Sequence, residues 1–169
     1  YEFFESVGEL RGLKGSLYEG GVRVPTVLRY PKVVPAGTEC NYVSGFEDWM
    51  PTLMDFVGAS STQKASLPAG ITGLSIARAL KGQDQPPRPY LYREFPGYGG
   101  QQFIRVDNWK AIRQKLNQGK VDIELYDLSK DPSEKENVAK IHPDVVVKLE
   151  GMMREARTPS ATFPLKNID

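Results

Sequence analysis

Gln102-Phe103-Ile104-Arg105-Val106-Asp107-Asn108-Trp109-Lys110-Ala111-Ile112-Arg113-Gln114 reads as two strands folded about a tight turn. Asp107 and Asn108 both tolerate positive φ, as a short hairpin turn requires. Working outward, Tyr90–Phe95 reads as a strand before this pair and Asp122–Tyr126 as one after it, with Asn117–Lys120 and its Gly119 as a further turn. Short turns between consecutive strands imply an antiparallel meander. Asp131-Pro132 starts another turn, in which Glu134 and Glu136 alternate with Lys135 and read as solvated charges. Pro143 then opens an amphipathic helix to about Arg157, with Val146, Leu149, Met153 and Ala156 on one face and Val145 and Met152 beside them. Gly151 costs that helix about 1 kcal/mol relative to alanine. The tail from Thr158 to Asp169 has no period and is expected to wrap or fray.

Towards the N-terminus, Pro86, Pro87 and Pro89 cannot lie inside a regular element, so a subdomain boundary is expected after Gly82. Upstream, Val22–Pro31 reads as a strand, and 47–57 as a helix with Trp49, Leu53 and Phe56 at helical spacing. Pro51 is tolerable in its first turn, and Asp48 is placed to cap it. A polar linker over 59–73 and a short helix over 75–81 follow. The fold expected is α+β: an antiparallel sheet of about four strands packed on a helix, preceded by a strip of strand, loops and short helices.

Composition narrows the function. The chain has 169 residues, 22 Lys plus Arg against 21 Asp plus Glu, and a formal net charge of +1. That balance gives no general electrostatic case for nucleic acid or an anionic membrane. Apolar residues make up 40% of the chain, enough for a packed core, but no run approaches the roughly 20 residues that span a bilayer. The single cysteine, Cys40, excludes an intrachain disulfide, and the single histidine, His142, excludes a two-histidine metal site within this chain. No glycine-rich phosphate loop and no paired cysteines for zinc are present. His142 precedes Pro143 and reads as a helix-start residue. Opening at Tyr1, without an initiating methionine or signal peptide, the chain reads as a processed or excised product.

The opening segment carries more information. It runs Leu10-Arg11-Gly12-Leu13-Lys14-Gly15-Ser16-Leu17-Tyr18-Glu19-Gly20-Gly21-Val22-Arg23-Val24-Pro25. Asp48-Trp49-Met50-Pro51-Thr52-Leu53 follows, then Gly73-Leu74-Ser75 with Leu80-Lys81-Gly82, then Glu124-Leu125-Tyr126-Asp127-Leu128 with Asp131-Pro132, Glu134 and Asn137. In this order and spacing the four pieces resemble the C-terminal part of type I sulfatases, in the alkaline phosphatase superfamily. The resemblance implies that 1–82 is a strip of the large α/β domain and 83–169 the small C-terminal subdomain. It implies hydrolysis of a sulfate ester, with calcium and a formylglycine nucleophile used by the parent enzyme. It also suggests a periplasmic, secreted or lysosomal setting.

The same resemblance assigns roles. Lys14 matches the lysine that contacts the sulfate group, where an ammonium donates to the oxygens and neutralises developing charge. Tyr18, Glu19, Gly20, Gly21 and Arg23 match a structural motif, with Glu19 placed to pair Arg23. The glycine-rich loop Glu94–Gln102 is expected to lend a rim to the pocket, with Tyr98, Gln101 and Gln102 as candidates for binding sugar hydroxyls. Trp109 reads as a packing residue. Cys40 is followed by Asn41, Tyr42, Val43 and Ser44, and Ser66-Leu67-Pro68 lacks the following arginine, so neither heads the formylglycine motif. No metal ligands are expected in the chain, which is therefore expected to be inactive alone. Two rival readings remain: a stand-alone carbohydrate-binding or assembly module, and part of a phosphate or phosphonate monoesterase. Either way, Val24, Val27, Leu28, Trp49, Leu53 and Phe56 form apolar surface, and the chain is expected to hide it by self-association.

Overall fold

The computed structural model describes residues 5–58, 70–165 and 167–168. They form two compact units: 1–25 together with 89–169, and 26–88.

The first unit is built on a four-stranded antiparallel meander, in the order β1 (Leu91–Phe95), β2 (Gln101–Val106), β3 (Trp109–Gln114) and β4 (Glu124–Asp127). Asp107 makes the β2–β3 turn at a φ of +51°, the conformation its side chain tolerates. The register pairs Phe103 with Ile112, Ile104 with Ala111, and Ala111 with Leu125. Side chains alternate across a pleated sheet, so this register sorts them into two faces. Ile104, Ala111 and Leu125 pack under Leu149 and Met153 of the helix Pro143–Ala156. Phe103, Ile112 and Tyr126 face the other way, onto Leu17 and Tyr18 of the opening segment. The sheet is therefore covered on both sides, which is why β2 and β3 are buried at consecutive positions.

The long helix starts as expected, with Pro143 in its first turn, Asp144 near the positive end of the dipole and Arg154 near the negative end. Its packing is reinforced by polar links. Arg113 pairs with Glu150 of the helix and donates to Gln102 Oε1, whose amide donates to the Tyr92 hydroxyl at 2.7 Å. Arg157 reaches Glu94 at 2.5 Å. Trp109 packs edge-on against His142 with ring centroids 5.0 Å apart. The tail returns to this unit, with Leu165 fully buried and Asn167 donating to the Leu116 carbonyl.

The second unit contains a 3-10 turn at Phe46–Asp48, the helix Trp49–Phe56 and the short helix Ala77–Leu80. Asp48, fully buried, holds them together. Its carboxylate accepts from the Gly45 and Leu74 N–H groups, each at 2.8 Å, and pairs with Arg88. Asp48 thus ties three segments together instead of capping the helix with its side chain. Thr52 Oγ donates to the Asp48 carbonyl and accepts from the Ile76 N–H at 3.0 Å. Gly73 lies against the Glu47 carbonyl, where a Cβ would fall 1.9 Å from that oxygen.

Two expectations change. Val22–Pro31 is not a strand: Glu19–Val22 is one helical turn, and residues 23–30 form no regular element. Pro25 and Pro31 remove ladder donors, and Val24 and Val27 stay exposed. The break expected after Gly82 falls after Arg88, because Arg88 is bound to Asp48 within the second unit. The described residues up to Pro25 join the sheet rather than the rest of 1–82, because Leu17 and Tyr18 bury against it. Most of the linker expected over 59–73, including Ser66, lies outside the described residues.

Candidate functional site

The lysine segment is a tight, glycine-dependent loop laid on the open face of the sheet. The Ser16 N–H donates to the Leu13 carbonyl at 2.8 Å, closing a four-residue turn with Lys14 and Gly15 at its corner. Gly15 has a φ of +88°, the value a type II turn requires at its third position. Lys14, at the second position, is exposed. The loop closes on itself where the Gly20 N–H donates to the Arg11 carbonyl at 2.7 Å. A Cβ on Gly20 would lie 2.5 Å from the Gly12 carbonyl oxygen, and one on Gly21 would lie 2.1 Å from that of Ser16. The Gly20-Gly21 pair is therefore a packing requirement of the loop.

Beneath the loop lies a buried ionic cluster. Lys110, the second residue of β3 and fully buried, sits 2.9 Å from Glu19 Oε1 and 2.9 Å from Glu134 Oε1. The other Glu134 oxygen accepts from the Glu19 N–H at 2.5 Å. Arg105 approaches Glu19 at 3.7 Å. Burial raises the Glu134 pKa above the usual carboxylate value; the ammonium of Lys110 opposes that rise and the Glu19 carboxylate adds to it. Beside this cluster, Arg11 donates to the Tyr126 hydroxyl and to the Glu134 carbonyl, each at 2.9 Å, and lies over the Tyr18 ring. The Tyr18 and Tyr126 hydroxyls both donate to Glu124 Oε2, at 2.5 and 2.8 Å. Burial, together with the Glu124 carboxylate, pushes both phenols far above their ordinary range, so they remain protonated donors.

Glu19 pairs with Lys110, not with Arg23, which is exposed and bonds Glu19 only through the backbone. Glu134 is not a solvated turn charge but fully buried. Neither the buried lysine nor its two partners is legible as a set from sequence, because the three come from separate segments. The one local signal is a lysine at an interior position of a strand, on the face that carries Phe103 and Ile112.

The rim loop meets the lysine turn directly. Tyr98, at a φ of +52°, is 74% exposed. A Cβ on Gly15 would fall 2.2 Å from its ring, so the ring lies against the residue that follows Lys14. Gln101 and Gln102, adjacent in β2, point to opposite faces, and both are buried. Gln101 serves the lysine loop: its Oε1 accepts from the Leu17 N–H at 3.1 Å and its amide donates to the Gly15 carbonyl at 2.8 Å. Gln102 lies on the helix side, bound to Tyr92 and Arg113. Its amide and its carbonyl oxygen are thus engaged on the helix side of the sheet, away from the lysine turn. Tyr98 is the exposed member of the three.

Among the described residues, no three His, Cys, Asp or Glu side chains are placed together to hold a metal ion. Cys40 is a free, exposed thiol. No helix among the described residues is long and apolar enough to cross a membrane.

Comparison with known proteins places this arrangement. The family described as N-sulphoglucosamine sulphohydrolase, C-terminal, matches residues 13–158. An N-acetylglucosamine-6-O-sulfatase of Bacteroides thetaiotaomicron is 30% identical over 138 residues, covering 74% of this chain and 23% of that protein. Arylsulfatase K of Danio rerio is 30% identical over 150 residues, covering 83% of this chain and 27% of its own length. Among solved structures, Ps i-CgsB in complex with k-i-k-neocarrahexaose superposes with a TM-score of 0.73 at 27% identity, over 86% of this chain and 31% of that one. The chain thus spans about a quarter to a third of the proteins it matches. With the lysine loop, the Glu-Gly-Gly turn and the Glu-Leu-Tyr-Asp-Leu strand all drawn into one unit, the chain belongs to the sulfatase C-terminal family.

Proposed function

We propose that this chain works as the C-terminal part of a longer sulfatase that hydrolyses sulfate esters of carbohydrates. The observation that carries the reading is Lys14, exposed at the corner of a turn and flanked by the exposed ring of Tyr98. A flexible ammonium offers several donors to sulfate oxygens and offsets charge that builds on the ester. An exposed tyrosine face beside it suits the apolar face of a sugar ring. The carbohydrate class is supported by relatives: one is named an N-acetylglucosamine-6-O-sulfatase, and one solved neighbour was captured with a neocarrahexaose.

Calcium and a formylglycine would supply the electrophilic hold on the ester oxygens and the attacking hydroxyl. The described residues do not fit either group: no carboxylate cluster is placed to hold a metal ion, and Cys40 lies outside any formylglycine motif. In this division of labour the chain contributes sulfate recognition through Lys14 and a sugar-facing rim through Tyr98. By itself it is inactive.

The test compares the purified 169-residue chain with the full-length protein on an aryl sulfate and on sulfated monosaccharides. The chain alone is expected to show no turnover, and Lys14→Ala in the full-length protein to lower kcat/KM by about 100-fold or more without changing its melting temperature. Turnover by the chain alone, or a Lys14→Ala enzyme of unchanged kcat/KM, refutes the proposal.

A further inference from the structure

We infer that Gln101 is a positioning residue for Lys14, acting from the sheet through the backbone of the lysine turn. This rests on the reading that Lys14 contacts the sulfate group. The Gln101 side chain is 2% exposed and spans the turn from beneath. Its Oε1 accepts from the Leu17 N–H and its amide donates to the Gly15 carbonyl, so one planar group fixes the backbone on both sides of Ser16. The same amide reaches the Gly97 carbonyl at 3.5 Å, at the start of the loop that carries Tyr98. Lys14 and Tyr98 are thereby referenced to one residue of a rigid strand. Gly15, between them, has no side chain to hold the turn.

Lys14 makes no hydrogen bond or ion pair among the described residues, so its placement depends on its backbone. An ammonium carried on a long flexible stem is useful only if the backbone that bears it is fixed. A displacement of about 1 Å at a contact made in the transition state costs on the order of 100-fold in rate. Gln101 supplies the one side-chain tether described on the Gly15 carbonyl and the Leu17 N–H.

The experiment is a double-mutant cycle in the full-length protein, using Gln101→Met, Lys14→Ala and the pair, with a sulfated monosaccharide as substrate and inorganic sulfate as product inhibitor. Gln101→Met keeps the buried volume and removes all three hydrogen bonds. The expected result is a 10- to 100-fold loss of kcat/KM on Gln101→Met, weaker inhibition by sulfate, and little further loss when the substitution is added to Lys14→Ala. A role confined to folding would lower the melting temperature and leave the same loss in the Lys14→Ala background, which overturns the inference. A full loss on Lys14→Ala with none on Gln101→Met also overturns it while leaving the sulfate reading intact. An unaffected Lys14→Ala enzyme removes both. If Gln101→Met is recovered unfolded, the cycle is read on Gln101→Glu, which keeps the acceptor for Leu17 and loses the donor to Gly15.

Discussion

Replacing Lys110 by methionine should uncouple the opening segment from the sheet. Lys110 and Glu134 are fully buried and Glu19 is 5% exposed, so the two carboxylates share one cation out of contact with water. Methionine fills a similar volume, and the packing over Phe103, now 4.8 Å from the ammonium, is largely kept. What is lost is the counter-charge. Removing one partner of a buried ion pair costs about 3–5 kcal/mol, because the remaining charge is left uncompensated. Arg105, 3.7 Å from Glu19, answers part of that charge but does not reach Glu134. The lower end of the range, about 3 kcal/mol, is therefore expected. For a chain of this size it corresponds to a fall of about 10 °C in melting temperature. Urea denaturation of the 169-residue chain in a Trp49→Phe background, read by Trp109 fluorescence, reports this unit alone. Lys130→Met is the control: Lys130 is 84% exposed, and its pair with Asp127 should contribute under about 1 kcal/mol. A Lys110→Met loss below about 1 kcal/mol would show that the cluster does not hold the loop to the sheet.

Glu134→Gln tests the same cluster through pH. A carboxyl whose folded pKa is raised lends stability that is complete below its unfolded pKa and is lost as pH rises through the folded value. Denaturation from mildly acidic to neutral pH should therefore show a flatter profile for Glu134→Gln than for the parent chain, and an unchanged slope would contradict the raised pKa. Gly15→Ala should cost about 1–3 kcal/mol for the positive φ alone, with a further loss from the Tyr98 ring; Tyr98→Ala should restore only that second part in a thermal-shift series. Gly151→Ala should raise stability by about 0.5–1 kcal/mol, since a Cβ there meets nothing within 4 Å; a drop in the urea midpoint would refute it. Phe46, Met50, Leu53 and Val57 are exposed along one helical stripe, so the isolated chain should self-associate in sedimentation velocity, and Leu53→Lys with Val57→Lys should return it to monomer. A monomer at high concentration before substitution would refute that expectation.

Sequence alone was sufficient for the meander and for the last helix. The meander follows from strand runs separated by Asp107-Asn108 and Gly119, and the last helix from Pro143 and its apolar face. Both match the structure because turn chemistry and periodicity act over a few residues. The glycines of the opening segment were legible as a motif, whereas the turn at Lys14-Gly15 and the close backbone approaches at Gly20 and Gly21 emerge only from the structure. Motif order carried the family because spacing is a property of the chain itself. The apparent strand at Val22–Pro31 failed for the opposite reason: β-favouring residues need a neighbouring ladder, and none is available there.

What tertiary structure decided is how the segments meet. Glu19, Lys110 and Glu134 are far apart in the chain, and a charge looks solvated until its neighbours are known. Gln101 and Gln102 are chemically identical and adjacent, yet pleating sends one to the lysine turn and the other to the helix. Sequence could nominate both for a ligand; only the register of β2 against β3 separates a tether from a core contact. Periodicity and turns are local, whereas burial and partnership are set by residues distant in sequence.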